Sequence, residues 1–372
     1  MTTRSQNTLC ADPNDGADPA ESRPPDARLS RRSFLGRGTL AVAGAAALLP
    51  LAGMMTAAKP ARADSRHPAR HRLTGGDVAI LRFLAAAELL ETDLWQQYNE
   101  ITLGNAAFRD KLSQLDSDMA TYVTQNTNDE ISHARFLNAF LVANHESPVD
   151  LSAFATLPSS QATGAAQVGR LTNLMHLNVD TSWYSRYRSE ENPDAGDVFP
   201  QAINAPGGIV NRPGIPLHDG YSDLQMQAIA NTAGFHFAMI EQGGASLYDA
   251  LGLRVSGNTV LRIVLSIGGT EVAHFQTWHD KAGNAIPLDT GDGLVFPDLT
   301  ATKAQIMPRP CEFVSDKLPL CSVIRPTSLS QNGAKAVVRF LTDTGLFHGQ
   351  SREFFEVVSA LAEDADEATP GS

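Results

Sequence analysis

Asp129-Glu130-Ile131-Ser132-His133 and Glu271-Val272-Ala273-His274 are the two stretches whose reading decides the fold. Each carries a carboxylate and an imidazole three residues apart. On an α-helix that spacing puts both side chains on nearly one face, aimed at one point. A divalent transition metal accepts such a mixture of oxygen and nitrogen donors. One Glu-x-x-His is weak evidence; two of them on alternate helices, each preceded by a helix with a lone Glu, are much stronger.

Helical periodicity surrounds both stretches. The spacing predicts a first helix over 74–103, where Leu81, Leu84, Glu88, Glu91, Trp95 and Tyr98 recur at intervals of three and four. Thr74 or Asp77 can cap its start, and Gly104-Asn105 can end it. A second helix is expected over 113–145, with Val123, Phe136, Leu137 and Leu141 as apolar positions. A third is expected over 222–251 and a fourth over 259–282. Glu241 follows Phe237 and Ile240 on the third, and Glu88 and Glu91 lie on the inner face of the first. The order is therefore Glu, Glu-x-x-His, Glu, Glu-x-x-His. Four inward carboxylates would repel one another and be costly to bury. Two divalent cations would neutralise them.

That order is the ligand plan of di-iron and di-manganese carboxylate bundles. Over about 74–282 the chain resembles the ferritin-like superfamily, nearest to rubrerythrin-like and desiccation-related ferritin-like domains of exported proteins. The resemblance rests on Glu88-Leu89-Leu90-Glu91 with Trp95 after it, Asp129-Glu130 through His133 to Leu137, Glu241 with Tyr248, and Glu271 with His274. It implies an all-α, ferritin-like four-helix bundle holding two iron or manganese ions on Glu88, Glu91, Glu130, His133, Glu241, Glu271 and His274. The first-helix ligand has two readings. Aligning Glu-x-x-Glu favours Glu88; the seven-residue offset to a tyrosine favours Glu91, because Tyr98 stands to Glu91 as Tyr248 stands to Glu241. We take Glu88 as the ligand and Glu91 as a further carboxylate beside it. Tyr98, Asp129 and Tyr248 are candidates to hold the second nitrogen of an imidazole. Gly243-Gly244 and Gly268-Gly269 flank the ligands, which suggests close helix approach or room for a small ligand. His236 reads as a helix-surface histidine.

A long crossover, about 150–220, is expected between the second and third helices. Its stretch 164–188 reads as helical and 190–220 as Pro- and Gly-rich loop. Residues 283–372 read as a C-terminal extension, loop-like to about 330, then amphipathic over 332–361 and packed outside the bundle.

Residues 1–63 are of a different kind. Ser30-Arg31-Arg32-Ser33-Phe34-Leu35 precedes an apolar run, and Ala61-Arg62-Ala63 supplies a small-x-small exit. The segment resembles a bacterial twin-arginine signal peptide, which implies a periplasmic or secreted protein with no stable membrane span after cleavage. That route carries folded proteins, which suits a metal chosen in the cytoplasm. Cys311 and Cys321 are the only cysteines after the signal and are expected to form one disulfide. The formal charge of the whole chain is -12. Beyond residue 63 there are 21 Lys/Arg against 36 Asp/Glu, or -15. So acidic a surface argues against nucleic acid as a partner.

The expected function is redox chemistry at a two-metal centre, with a small oxidant such as dioxygen or peroxide as partner. Peroxidase, catalase and ferroxidase activities all fit. The alternative is a non-catalytic metal-binding or desiccation-protective envelope protein. A rubredoxin-type donor would need two Cys-x-x-Cys motifs, and the chain has neither. A homo-oligomer is open, although the long insertion weighs against a ferritin-type cage.

Overall fold

The computed structural model describes residues 73–179, 181, 184, 209–300, 310–312, 314–323 and 333–372. The expected export signal lies outside the described residues, as does most of the Pro- and Gly-rich part of the crossover.

Thr74 opens α1 (Gly75–Gly104) by accepting the amide of Asp77 at 3.1 Å. The Asp77 carboxylate reaches a different helix end. It accepts from the amides of Ser256 and Gly257 at 2.7 and 3.1 Å, just ahead of the helix beginning at Asn258. A carboxylate there satisfies orphan N–H groups and complements the helix dipole. Asn105 ends α1, and its side chain caps α2 (Ala106–Leu112) by accepting from Phe108. α3 runs Met119–Ala143, α4 Asp223–Gly252 and α5 Asn258–Ala282. Ser222 and Gln225 form a capping box at the start of α4. For α1, α4 and α5 each end falls within one residue of the expected span.

The second helix does not. It was expected from residue 113, but 106–112 is a separate short helix and α3 begins only at Met119. An Asx turn interrupts the path, with Asp116 accepting from the amide of Asp118 at 2.8 Å. This break lets Leu115 turn inward, where it is 2% exposed and packs against Gly234 of α4.

The most extensive helix contacts pair α1 with α3 and α4 with α5. The two pairs face each other across one core. α4 is buried nearly all round, because α2, α5 and α6 (Ala334–Asp343) cover its sides. α7 (Arg352–Glu367) lies along α1, so the C-terminal amphipathic segment forms two helices that pack on the bundle.

The crossover corrects a second expectation. Residues 164–178 are not helical. Leu157 bridges Arg170, and β1 (Leu177–Val179) pairs antiparallel with β2 (Ile209–Arg212). Leu171, Leu174 and Leu177 are buried as their spacing implied, yet on extended chain. The reason lies in the backbone donors. The Asp93 carboxylate takes the amides of Leu171 and Thr172, the Leu346 carbonyl takes that of Asn173, and the Thr344 carbonyl takes that of Asn178. Amides claimed by α1 and the C-terminal segment are not free to bond four residues back.

Two further hairpins are short: β3 (Leu288–Asp289) with β4 (Val295–Phe296), and β5 (Pro310–Cys311) with β6 (Cys321–Ser322). The last sets the backbones of Cys311 and Cys321 directly opposite each other. Opposed residues in an antiparallel ladder have Cα atoms about 4.5–5.5 Å apart, within the range a disulfide spans. No helix among the described residues is long and apolar enough to cross a membrane.

Candidate metal centre

The two helix pairs bring six of the seven expected ligands together in their common core. Glu88, Glu130, His133 and Glu271 form one group, and Glu130, Glu241, Glu271 and His274 form another. Within each group one donor atom per residue lies within 4.8 Å of every other. Glu130 and Glu271 belong to both groups. Glu88, Glu130, Glu241 and Glu271 are each 0–1% exposed.

Each histidine turns Nδ1 toward the carboxylates. His133 Nδ1 lies 3.1 Å from Glu130, 3.2 Å from Glu271 and 3.4 Å from Glu88. His274 Nδ1 lies 3.0 Å from Glu130 and 3.4 Å from Glu241. The opposite nitrogen of His274, Nε2, is 3.1 Å from Asp129. A proton on Nε2, donated to Asp129, leaves the Nδ1 lone pair free for a cation. Asp129 was one of three residues expected to partner an imidazole. The other two do different work: the Tyr248 hydroxyl donates to Glu88, and Tyr98 bonds to His236.

Glu91 falls in neither group. A Cβ on Gly244 would stand 2.8 Å from Glu271 Oε2 and 3.5 Å from Glu91 Oε1. The missing side chain there makes room for the Glu271 carboxylate, while Glu91 stands at ordinary contact distance. Gly268 answers to packing instead, since a Cβ would meet Tyr248 at 2.7 Å. The four glycines flanking the ligands therefore have different reasons, and only Gly244 faces the carboxylates.

Asn126 escaped the sequence reading. Its amide nitrogen donates to Glu130 at 2.7 Å and Glu241 at 3.0 Å, and its oxygen accepts from the Trp278 indole at 2.6 Å. One turn before Glu130 on α3, it was legible only as a polar residue on the inner face. His236 is a correction. It is buried, 4% exposed, and not on the helix surface, because α4 is covered on all sides. Phe136 is another. It stands among the apolar positions of the expected second helix, but it is 49% exposed and stacks on Phe140, whereas Leu137 beside it is fully buried.

The donor set fits divalent cations. Glu88 Oε2, Glu241 Oε2, both oxygens of Glu271 and His274 Nδ1 are buried and make no well-formed hydrogen bond. Buried polar atoms left so are costly unless something else satisfies them. Protonation reflects the same demand for positive charge. Burial, then Glu130, pushes Glu88 up to about 8. Burial and neighbouring carboxylates also raise Glu91 and Glu271, and burial raises Glu241. Burial would raise Glu130 too, but bonds and charges from His133 and His274 hold it at about 2. The same carboxylates overcome burial and lift both imidazoles, His274 to about 12.

These shifts fix the sign of a pH effect. A carboxyl raised by folding keeps a proton that the unfolded chain has released, so metal-free stability falls as pH climbs from 4.5 to about 8. The imidazoles act in the same direction above 6.5, the unfolded value, while the Glu130 contribution is already complete above 4.5. Bound metal reverses the trend, because it competes with those protons. Thermal melts of chelated and metal-loaded protein across that window should slope in opposite directions. A chelated protein whose midpoint stays level would contradict the charge assignment.

A cavity of about 340 Å³ lies elsewhere, with His176, Arg212, Tyr221 and Asp292 in its wall. None of the seven expected ligands lines it.

A family model described as a ferritin-like domain matches residues 76–283. No curated protein and no solved structure matches the chain.

Proposed function

The chain belongs to the ferritin-like domain family, and from that premise we propose that it holds a dinuclear iron or manganese centre for redox chemistry on dioxygen or peroxide. One observation carries the reading: two four-residue groups share Glu130 and Glu271. In this reading Glu88 and His133 would hold one ion and Glu241 and His274 the other, with Glu130 and Glu271 available to both. Two such ions would bring positive charge to a buried cluster of carboxylates and the capacity to exchange electrons with an oxygen-donor molecule.

The residues of the chain do the rest. Asp129 holds His274 in one tautomer. Asn126 and Tyr248 keep Glu130, Glu241 and Glu88 in place by donating to them. The core excludes bulk water, while the side chains of His133 and His274 are each 11% exposed. That edge admits a small oxidant and protons. Export by the twin-arginine route belongs to the proposal, because a site so buried is best filled while the protein folds.

The test is metal analysis of protein purified through its native export route, followed by a hydrogen peroxide assay on the loaded form. Two equivalents of iron or manganese and turnover of peroxide are expected. Metal without turnover would favour a binding or envelope-protective role. A metal-free protein that ions neither fill nor stabilise would refute the proposal.

A further inference from the structure

The cavity of about 340 Å³ lies where three elements meet: the β1–β2 hairpin of the crossover, the first turns of α4 and the β3–β4 hairpin. Its volume falls in the range of small-molecule sites. Arg212 on β2 and Asp292 in the β3–β4 turn tie two of those elements together, with Nη1 of the guanidinium 2.6 Å from Oδ2 of the carboxylate. The cavity is separate from the carboxylate cluster. Thr232 is the lining residue nearest in sequence to an expected ligand, and Glu241 follows it only about 14 Å further along α4.

The hydrogen-bonding groups of the wall are lopsided. Its side-chain acceptors are occupied. Asp292 Oδ2 takes Arg212, and Oδ1 takes the Thr290 hydroxyl. Asn211 Oδ1 takes Nδ1 of His176. Gln225 Oε1 takes the amide and the hydroxyl of Ser222 in the α4 capping box, both at 3.0 Å. The donors are not occupied. Arg212 Nε is buried with no hydrogen-bond partner. The side-chain amide nitrogens of Asn211 and Gln225 bond to no described residue. A buried donor without an acceptor is costly, so this wall lacks an acceptor rather than a donor. The rest of it is apolar, with Met175, Leu217, Ile229 and Leu294. Leu224 also lines it and is 53% exposed, so an occupant with an apolar body would cover it.

We propose that this cavity is a binding site for a small amphipathic monocarboxylate. The carboxylate lies against the Nε edge of Arg212 and the Asn211 amide, and the apolar body lies against Leu217, Ile229 and Leu294. The guanidinium then holds two carboxylates, Asp292 on one edge and the ligand on the other, which its planar fork of donors allows. Asp292 keeps its own place, because Arg212 and Thr290 hold its carboxyl down at about 2 and it stays ionised. An ammonium head group would find no free side-chain acceptor among these residues. The site does not depend on the metal centre and stands whether or not that centre is filled.

The experiment titrates the full chain with octanoate, octanol and octylamine by calorimetry, and diffuses a bromine-tagged octanoate into crystals of the unmutated protein. One octanoate per chain is expected. Octanol should bind at least about tenfold more weakly and octylamine more weakly still, since only the carboxylate makes hydrogen bonds between two charged groups. Arg212→Gln should erase the preference for octanoate over octanol. Ala228→Phe, which puts a ring into the wall, should block both. The anomalous signal of bromine should fall inside the cavity, which tests the site without relying on a variant that folds. No octanoate binding, or octanol or octylamine binding as tightly, overturns the proposal. So does an Arg212→Gln protein that keeps the preference, or bromine found only elsewhere on the chain.

Discussion

Protein carrying both Glu130→Ala and Glu271→Ala is expected to lose both metal ions, whereas Glu88→Ala or Glu241→Ala should weaken mainly one. The contrast follows from the geometry, in which Glu130 and Glu271 stand in both four-residue groups and Glu88 and Glu241 in one each. Even partners outside the ligand set are worth about 10–100-fold in metal affinity. Loss of two shared ligands should therefore exceed about 100-fold at each ion. Glu271→Gln separates metal from fold. Burial and the neighbouring carboxylates raise Glu271 and so favour its protonated form in the absence of metal, which an amide of the same shape imitates. The Gln variant should bind metal poorly and melt like chelated wild type. Calorimetric titration with manganese, beside melts of chelated samples, reads both. If the double variant kept two equivalents, or Glu88→Ala weakened both ions equally, the sharing would be wrong.

Asp93→Ala is expected to destabilise the chain by about 3–5 kcal/mol without touching metal stoichiometry. Asp93 Oδ2 accepts from the amides of Leu171 and Thr172 at 3.1 and 2.9 Å, the Thr172 hydroxyl at 2.6 Å and Gln97 at 3.0 Å. Removing it leaves two backbone donors buried with nothing to accept them, at about 1–3 kcal/mol each. The crossover would come away from α1 at 171–172. Asp93→Asn keeps an oxygen at the same place and should cost less. Denaturant melts measure the difference, and a loss under about 1 kcal/mol for Asp93→Ala would mean that the crossover is held mainly elsewhere.

Where sequence and structure part, the reason is local versus distant bonding. α1, α4 and α5 were legible because caps and three-to-four periodicity are contained within the helix itself. The segment 164–178 shares that periodicity in Leu171, Leu174 and Leu177 but lacks the backbone bonds, since residues about 80 and 170 positions away claim its amides. His236 was misplaced for a related reason. Its own neighbours do not reveal that α2, α5 and α6 enclose α4.

At the site, the chain itself determined which residues would meet. Two Glu-x-x-His motifs and two lone glutamates on four helices define one inward cluster, because helical geometry alone sets the face each side chain occupies. Only the tertiary structure decided how they divide. It placed Glu88 in a four-residue group and left Glu91 beside Gly244, since that choice depends on how far α1 is rotated against α4. It made Glu130 and Glu271 the shared pair, because only their carboxylates lie between both histidines. It also brought Asn126 to the ligands and Tyr98 to His236, contacts between residues more than 100 positions apart that no local spacing encodes.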